Sequence, residues 1–305
     1  MITLVLVMVL GGGAPEPAPG GLPDAGPVMA WVQSMLSLLT RMAATVTVGF
    51  AWLGGGYLTS TPVTIQTGAL RIAVAMGAVW AGLVLIAAGL TVIELRIESV
   101  QLASQGIGAS LASPQARPLL IELVMATATS VTALRSKSRW LPFPIALLAV
   151  IGGAIVGGHV LTAPSPVLAG AVLGIHVAAV SLWVGGLVAV GWLALKHSDA
   201  WLDVLPRYSR VALGSILALA LSGIVSALQQ IELGQVWESA YGIVVTLKVL
   251  MILALALFGW AQRRRVIGRG SARLRDFLLL AGAELTLMVI TFGIAVGLAT
   301  TPTPN

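Results

Sequence analysis

Gly174-Ile-His-Val-Ala-Ala-Val-Ser-Leu-Trp-Val-Gly-Gly-Leu187 is an apolar stretch carrying one histidine and one tryptophan seven residues apart. At about 100° per residue, Gly170, Gly174, Ala178, Ser181 and Gly185 form one stripe of small side chains, and His176, Val180, Trp183 and Leu187 lie roughly opposite. Both faces then have a reason to be packed. The small stripe lets a neighbouring backbone approach closely in lipid, and a histidine inside such a helix marks a candidate functional site.

The surrounding composition makes this a membrane segment. Of 305 residues, 58% are apolar and only 9% charged, and mean hydropathy is +0.99, which places the chain in the polytopic membrane class and excludes a soluble fold. The net charge of +6 does not indicate nucleic acid, because the basic residues sit mainly in short loops between apolar runs. There is no cysteine, so soft-metal chemistry must use the nine methionines and three histidines.

Working outward, the apolar runs are Val28–Leu53, Ala69–Ile93, Pro118–Leu134, Leu141–Leu161, Val167–Leu195, Tyr208–Gln229, Ala240–Ala261 and Phe277–Ala299. They predict an all-α polytopic membrane bundle of about nine transmembrane helices, or eight if Met1–Leu10 does not span. That first run ends by Gly13 and would rise only about 15–20 Å against a hydrocarbon core of about 30 Å. It reads as a short or tilted span rather than a signal-like start, followed by a Pro/Gly-rich loop to Pro27. The parts are residues 1–27, 28–140 with the N-terminal membrane helices, and 141–305.

Thirteen basic residues, among them Arg71, Arg135, Lys137, Arg139, Lys196, Arg207, Arg210 and the run from Arg263 to Arg275, fall on one side when the loops alternate. Only Arg96 and Arg117 occupy opposite loops. The basic side is expected to be cytoplasmic, with the N-terminus inside and the C-terminus outside if all nine spans exist. His159 then lies at the outer end of its span, and His176 about nine residues into the next, roughly 14 Å deep.

His159 and His176 are the candidate metal ligands, with Met125, Met35, Met29 and Glu122 as further candidates; thioether and imidazole suit Cu(I). Met8 also belongs to the outward-facing halves. Methionine is ordinary core filler as well, and an intramembrane histidine can be purely structural. His197, beside Lys196, reads as a solvated loop residue. Arg41, Lys248 and Glu284 lie within spans, where a charge costs about 2.5–3.5 kcal/mol, so each is expected to face the interior with a partner; Lys248 and Glu122 have comparable depths. Trp183, Gly185 and Gly186 are expected to pack helices. No nucleophile–His–acid grouping, phosphate loop or zinc signature is present, so catalysis is not expected.

From His176-Val-Ala-Ala-Val-Ser-Leu-Trp-Val-Gly-Gly-Leu187 through Arg207-Tyr-Ser-Arg210, Ser222-Gly223, Tyr241-Gly-Ile-Val-Val-Thr-Leu-Lys248, the arginine run after Trp260, Glu284-Leu285 and Thr301-Pro-Thr-Pro304, the C-terminal half resembles the copper resistance D (CopD) family. The resemblance covers about Gly157 to Pro304, and Gly21-Leu-Pro-Asp24 is similar to the actinobacterial branch. It implies a multi-pass protein of the cell inner (cytoplasmic) membrane that moves copper or supplies it to cuproprotein assembly, so that 141–305 is a copper resistance D-like membrane domain. By position, His176 matches the family's helix histidine and His159 a Gly-His at the preceding outer end.

Two positions depart from the family pattern. Thr162-Ala-Pro-Ser-Pro166 lacks the second histidine that relatives often carry, and Ile243 stands where arginine usually follows Tyr-Gly. A cytochrome oxidase assembly domain, often fused in actinobacterial relatives, is expected to be lacking.

The leading expectation is copper homeostasis, with copper received at an outward-facing His site and an extracytoplasmic copper chaperone or cytochrome oxidase assembly factor as partner beside the lipid bilayer. A metal-free assembly scaffold is one alternative. A b-type cytochrome with haem on the two histidines is the other, although their depths differ by about 10 Å.

Overall fold

The computed structural model describes residues 5–6, 8–9, 14–15, 23–57, 62–156, 165–197, 200–228, 246, 250, 253–254, 257, 259 and 274–300. Its described elements are all helical: α1 Pro27–Gly54, α2 Val63–Glu98, the short α3 Val100–Ser104 and α4 Ile107–Leu111, α5 Arg117–Arg135, α6 Pro142–Val156, α7 Pro166–Val180, a π-helical turn Ser181–Gly185, α8 Gly186–Lys196, α9 Ala200–Leu228 and α10 Leu274–Thr300. Among the described residues, six helices are long and apolar enough to cross a membrane, with α7, the π turn and α8 forming one continuous span of 31 residues. The apolar α6 is shorter, and the remainder of its expected span, 157–161, lies outside the described residues. So do most of the first run and of Ala240–Ala261. The chain is thus a polytopic helical membrane bundle.

The central helix is α1, ahead of the histidine-bearing α7. Its membrane window is 72% buried, against 28% for the α7–α8 span. The sequence supplies the reason: Ala43-Ala-Thr-Val-Thr-Val-Gly49 is built of small and β-branched residues, which let neighbouring helices approach closely. It packs against α2, α6, the π turn, α8 and α10. Gly26, at φ +85°, admits the chain to α1, and Pro27 opens the first turn, where a missing N–H costs nothing.

Several elements run beyond their expected limits. The 36-residue α2 begins at Val63 and ends at Glu98. It rises about 54 Å, more than a bilayer core requires, so its end extends into the expected outer loop. There Arg96 donates to the carbonyls of Leu102 (3.3 Å) and Ala103 (3.0 Å), and Ser99 Oγ accepts from the Leu102 N–H at 3.2 Å. These contacts satisfy free backbone groups of α3 and explain why this connection is helical rather than irregular.

One large core joins helices from before and after Arg135–Trp140. Phe50 and Trp52 of α1, Trp183 and Leu187 of the π-turn region, Trp201 and Tyr208 of α9, and Phe277 and Met288 of α10 all belong to it. Trp201 stacks on Phe277 at 4.8 Å between ring centroids. A smaller cluster around Trp80, Val84, Ala126 and Ala149 fills the space between α2, α5 and α6. Leu85, Ile86, Val124, Leu148 and Leu217 are exposed, as suits helices bathed in lipid.

Candidate functional site

His176 lies ten residues into α7, roughly 15 Å along the helix from Pro166. Its Nδ1 is 2.9 Å from Ser222 Oγ on α9. The Ser222 hydroxyl is also positioned to donate to the Leu219 carbonyl at 3.2 Å. A hydroxyl has one proton to give, so a Ser222 that donates to Leu219 accepts from Nδ1–H, and this places the imidazole lone pair on Nε2. A neutral imidazole ligates a metal through its lone-pair nitrogen, and a neighbouring hydroxyl orients the ring. His159 lies outside the described residues.

Seven residues on, the helix departs from α geometry. Trp183 and Gly185, two residues apart, lie on roughly opposite faces, and the π turn at Ser181–Gly185 inserts one residue there. Trp183, Gly185, Gly186 and Leu187 are all buried because this span is packed on both faces, Gly185 against α1 and Trp183 against α9 and α10. The Trp183 indole N–H donates to Glu284 Oε1 on α10 at 3.0 Å, and the Tyr208 hydroxyl on α9 donates to the Trp183 carbonyl at 2.9 Å. Glu284 is only 3% exposed. The expected partner of this intramembrane acid is therefore an indole N–H from the histidine-bearing span.

The paired glycines have separate tasks. A Cβ on Gly185 would collide with the Thr45 carbonyl and approach Gly49, and a Cβ on Gly49 would collide with the Gly185 backbone. A Cβ on Gly186 would meet the rings of Tyr208 (2.7 Å) and Trp52 (3.0 Å). The Trp-Val-Gly-Gly sequence thus lets α1 touch the π turn backbone to backbone.

A second indole–carboxylate pair lies in the N-terminal helices. Trp80 Nε1 donates to Glu122 Oε1 at 2.8 Å, and Gly153 of α6 leaves the room that Glu122 Oε2 occupies, 3.0 Å from where its Cβ would stand. Arg41 is within electrostatic reach of Glu122. Arg41 itself is exposed and donates to Ser37 Oγ at 3.4 Å, contrary to the expectation that it faces the interior; a long guanidinium stem one turn from a hydroxyl reaches outward more readily than into the small-residue face of α1. Lys248 lies outside the described residues.

Of the methionines, Met125 packs on the Trp80 cluster, Met29 is partly buried near the start of α1, and Met35 shares one small apolar cluster with Met8, Met42, Trp31 and Phe292. His197 is half-buried with its ring edge-on to Trp192 at 5.9 Å. Among the described residues, no three or more His, Asp or Glu side chains gather into a metal-binding group.

Sequence reasoning missed Trp80, Gly49 and Tyr208 as polar or packing partners. Tyr208 and Ser222 stood in quoted motifs, but nothing local to Trp80 or Gly49 distinguishes them from other apolar residues.

These features define a multi-pass helical membrane protein with a histidine and two carboxylates held by cross-helix hydrogen bonds inside the bundle. Residues 202–298 match the family model CopD, copper resistance protein D, which supports membership of that family of copper-resistance membrane proteins. The matched segment contains Tyr208, Ser222 and Glu284, which are the partners of Trp183 and His176. No curated protein and no solved structure matches the chain.

Proposed function

We propose that the chain is a copper transport or delivery protein of the cytoplasmic membrane, receiving copper from the outer side at a site built on His176 and His159. The observation that carries this reading is the copper resistance match over residues 202–298, whose Ser222 orients the His176 ring. Thioethers are the natural companions of imidazole for Cu(I), and the candidates are Met35, which shares a cluster with Met8 and Met42, and Met125, which packs in a separate cluster with Trp80. The basic loops put the N-terminus in the cytoplasm and the C-terminus outside for a nine-span chain. An extracytoplasmic copper chaperone or an oxidase assembly factor is the partner such a site would serve.

The test is metal content and an optical spectrum on one detergent-purified, copper-loaded sample of the wild type, His159→Ala, His176→Ala and the double variant. Copper retained by the wild type and lost with the histidines is the expected result. Folded protein with neither copper nor haem that still copurifies with an oxidase or chaperone would replace this reading with a scaffold role. A Soret band lost with the same substitutions would replace it with a b-type cytochrome.

A further inference from the structure

We propose that a cavity between the basic ends of α2 and α5 binds the phosphate-bearing headgroup of an anionic phospholipid. The cavity has a volume of about 260 Å³, and its walls include Arg71 and Thr67 of α2 together with Ser136 and Arg139 just beyond α5. Among the described residues, no acidic side chain lines it. Two guanidinium groups around one space are the donor set for a phosphate diester, since arginine forks two N–H groups toward phosphate oxygens; the Thr67 and Ser136 hydroxyls give their protons to the carbonyls of Val63 (2.8 Å) and Ser138 (3.2 Å) and only shape the wall. Arg139 Nη1 donates to Gln66 Oε1 at 3.1 Å, which holds its guanidinium beside α2.

The remaining walls say which phosphate. Leu70, Val74, Ala133 and Leu134 line the same cavity, and Leu134 is 68% exposed, so the cavity has an apolar wall that opens at Leu134 toward the lipid-facing surface. A free phosphate has no use for that wall, whereas the glycerol and upper acyl chain of a phospholipid would lie on it. The depth is right as well. Trp140, one residue beyond Arg139, is 53% exposed, and its carbonyl accepts from the Tyr57 hydroxyl at 3.0 Å; tryptophan and tyrosine gather at the headgroup level of a bilayer. Arg135 and Lys137 are exposed in the same short connection, adding long-range attraction for an anionic leaflet. Basic pockets between helices at this level are where anionic headgroups seat. The site owes nothing to the copper reading and holds in either leaflet.

The experiment is native mass spectrometry of the full chain released from detergent after exposure to equal amounts of phosphatidylglycerol and phosphatidylcholine with identical acyl chains. The wild type is expected to retain phosphatidylglycerol about tenfold more than phosphatidylcholine, in line with two arginines acting on one lipid charge. Arg71→Gln with Arg139→Gln should reduce the preference to about twofold or less. Ser136→Asp tests the same site with both arginines in place: the new carboxylate can keep the hydrogen bond that Ser136 Oγ accepts from the Ser138 N–H at 3.0 Å, yet sets a negative charge in the cavity, and it too should abolish the preference. Equal retention of the two lipids by the wild type would overturn the proposal, as would a preference untouched in both variants. Inorganic phosphate displacing phosphatidylglycerol at equal concentration would show a soluble-anion site instead.

Discussion

The indole of Trp183 and the carboxylate of Glu284 meet at 3.0 Å across 101 residues of sequence, both only 3% exposed. A buried acceptor deprived of its donor costs about 1–3 kcal/mol. Trp183→Phe keeps an aromatic ring but removes the N–H, so it should lower the thermal unfolding midpoint of the detergent-solubilised protein. Glu284→Gln preserves an oxygen acceptor and should be milder. The two substitutions should couple, the double variant losing less than the sum of the singles by roughly 0.5–3 kcal/mol. Strict additivity would show that the hydrogen bond contributes nothing.

The contact between Gly185 and α1 makes a sharper prediction. Gly185→Ala and Gly49→Ala each drive a methyl group into backbone of the opposing element, and backbone cannot swing aside as a side chain can. Each should cost about 1–3 kcal/mol or more through overpacking. Gly191→Ala in the same span is the control, because nothing lies within 4 Å of its Cβ position. There the alanine should be neutral or stabilise by about 0.5–1 kcal/mol through its better helix propensity. Comparable melting curves for Gly185→Ala and Gly191→Ala would refute the close approach.

Legibility followed how local each interaction is. Apolar runs announce helices because lipid leaves the backbone few alternatives, so the membrane class and most spans could be read directly. In the stripe of Gly170, Gly174, Ala178, Ser181 and Gly185, all are buried except Ala178, which is half-buried. What a 100° wheel could not contain is the π turn at Ser181–Gly185. Nor does a wheel reveal partners. Glu284 was recognisable as an expensive charge needing company, but its indole lies on another helix, and tryptophan in an apolar run carries no mark of the acid it serves. Trp80 and Glu122 repeat the lesson in the other half. Arg41 looked interior because its run is apolar, whereas its own flexible stem decides where the charge goes.

Tyr208 offers a prediction about the π turn itself. Its hydroxyl donates to the Trp183 carbonyl at 2.9 Å from a ring packed over Gly186. Tyr208→Phe preserves that packing and removes only the hydroxyl, leaving a buried carbonyl with one donor fewer. The expected loss is about 1 kcal/mol, visible as a modest drop in melting midpoint with no change in helix content by circular dichroism. An unchanged midpoint would mean that the carbonyl is adequately satisfied within the helix.

Ser222 separates a positioned ligand from a merely buried histidine. If copper binds His176, the ligand atom is the lone-pair nitrogen, Nε2, and Ser222 holds the ring by accepting from Nδ1. Replacing an oriented ligand's hydrogen-bond partner typically weakens metal binding about 10–100-fold. Ser222→Ala should therefore weaken Cu(I) retention by that factor in competition with a soluble chelator, whereas His176→Ala should abolish this site's contribution. Ser222→Thr restores a hydroxyl at the same backbone position and should recover much of the affinity. The rescue matters more than the loss, because a purely structural Ser222 would alter stability in all variants without a matching order of copper affinities. Affinity that ignores Ser222→Ala while responding to His176→Ala would place the ring's orientation under the control of some other group. Affinity indifferent to both would remove His176 from the copper site.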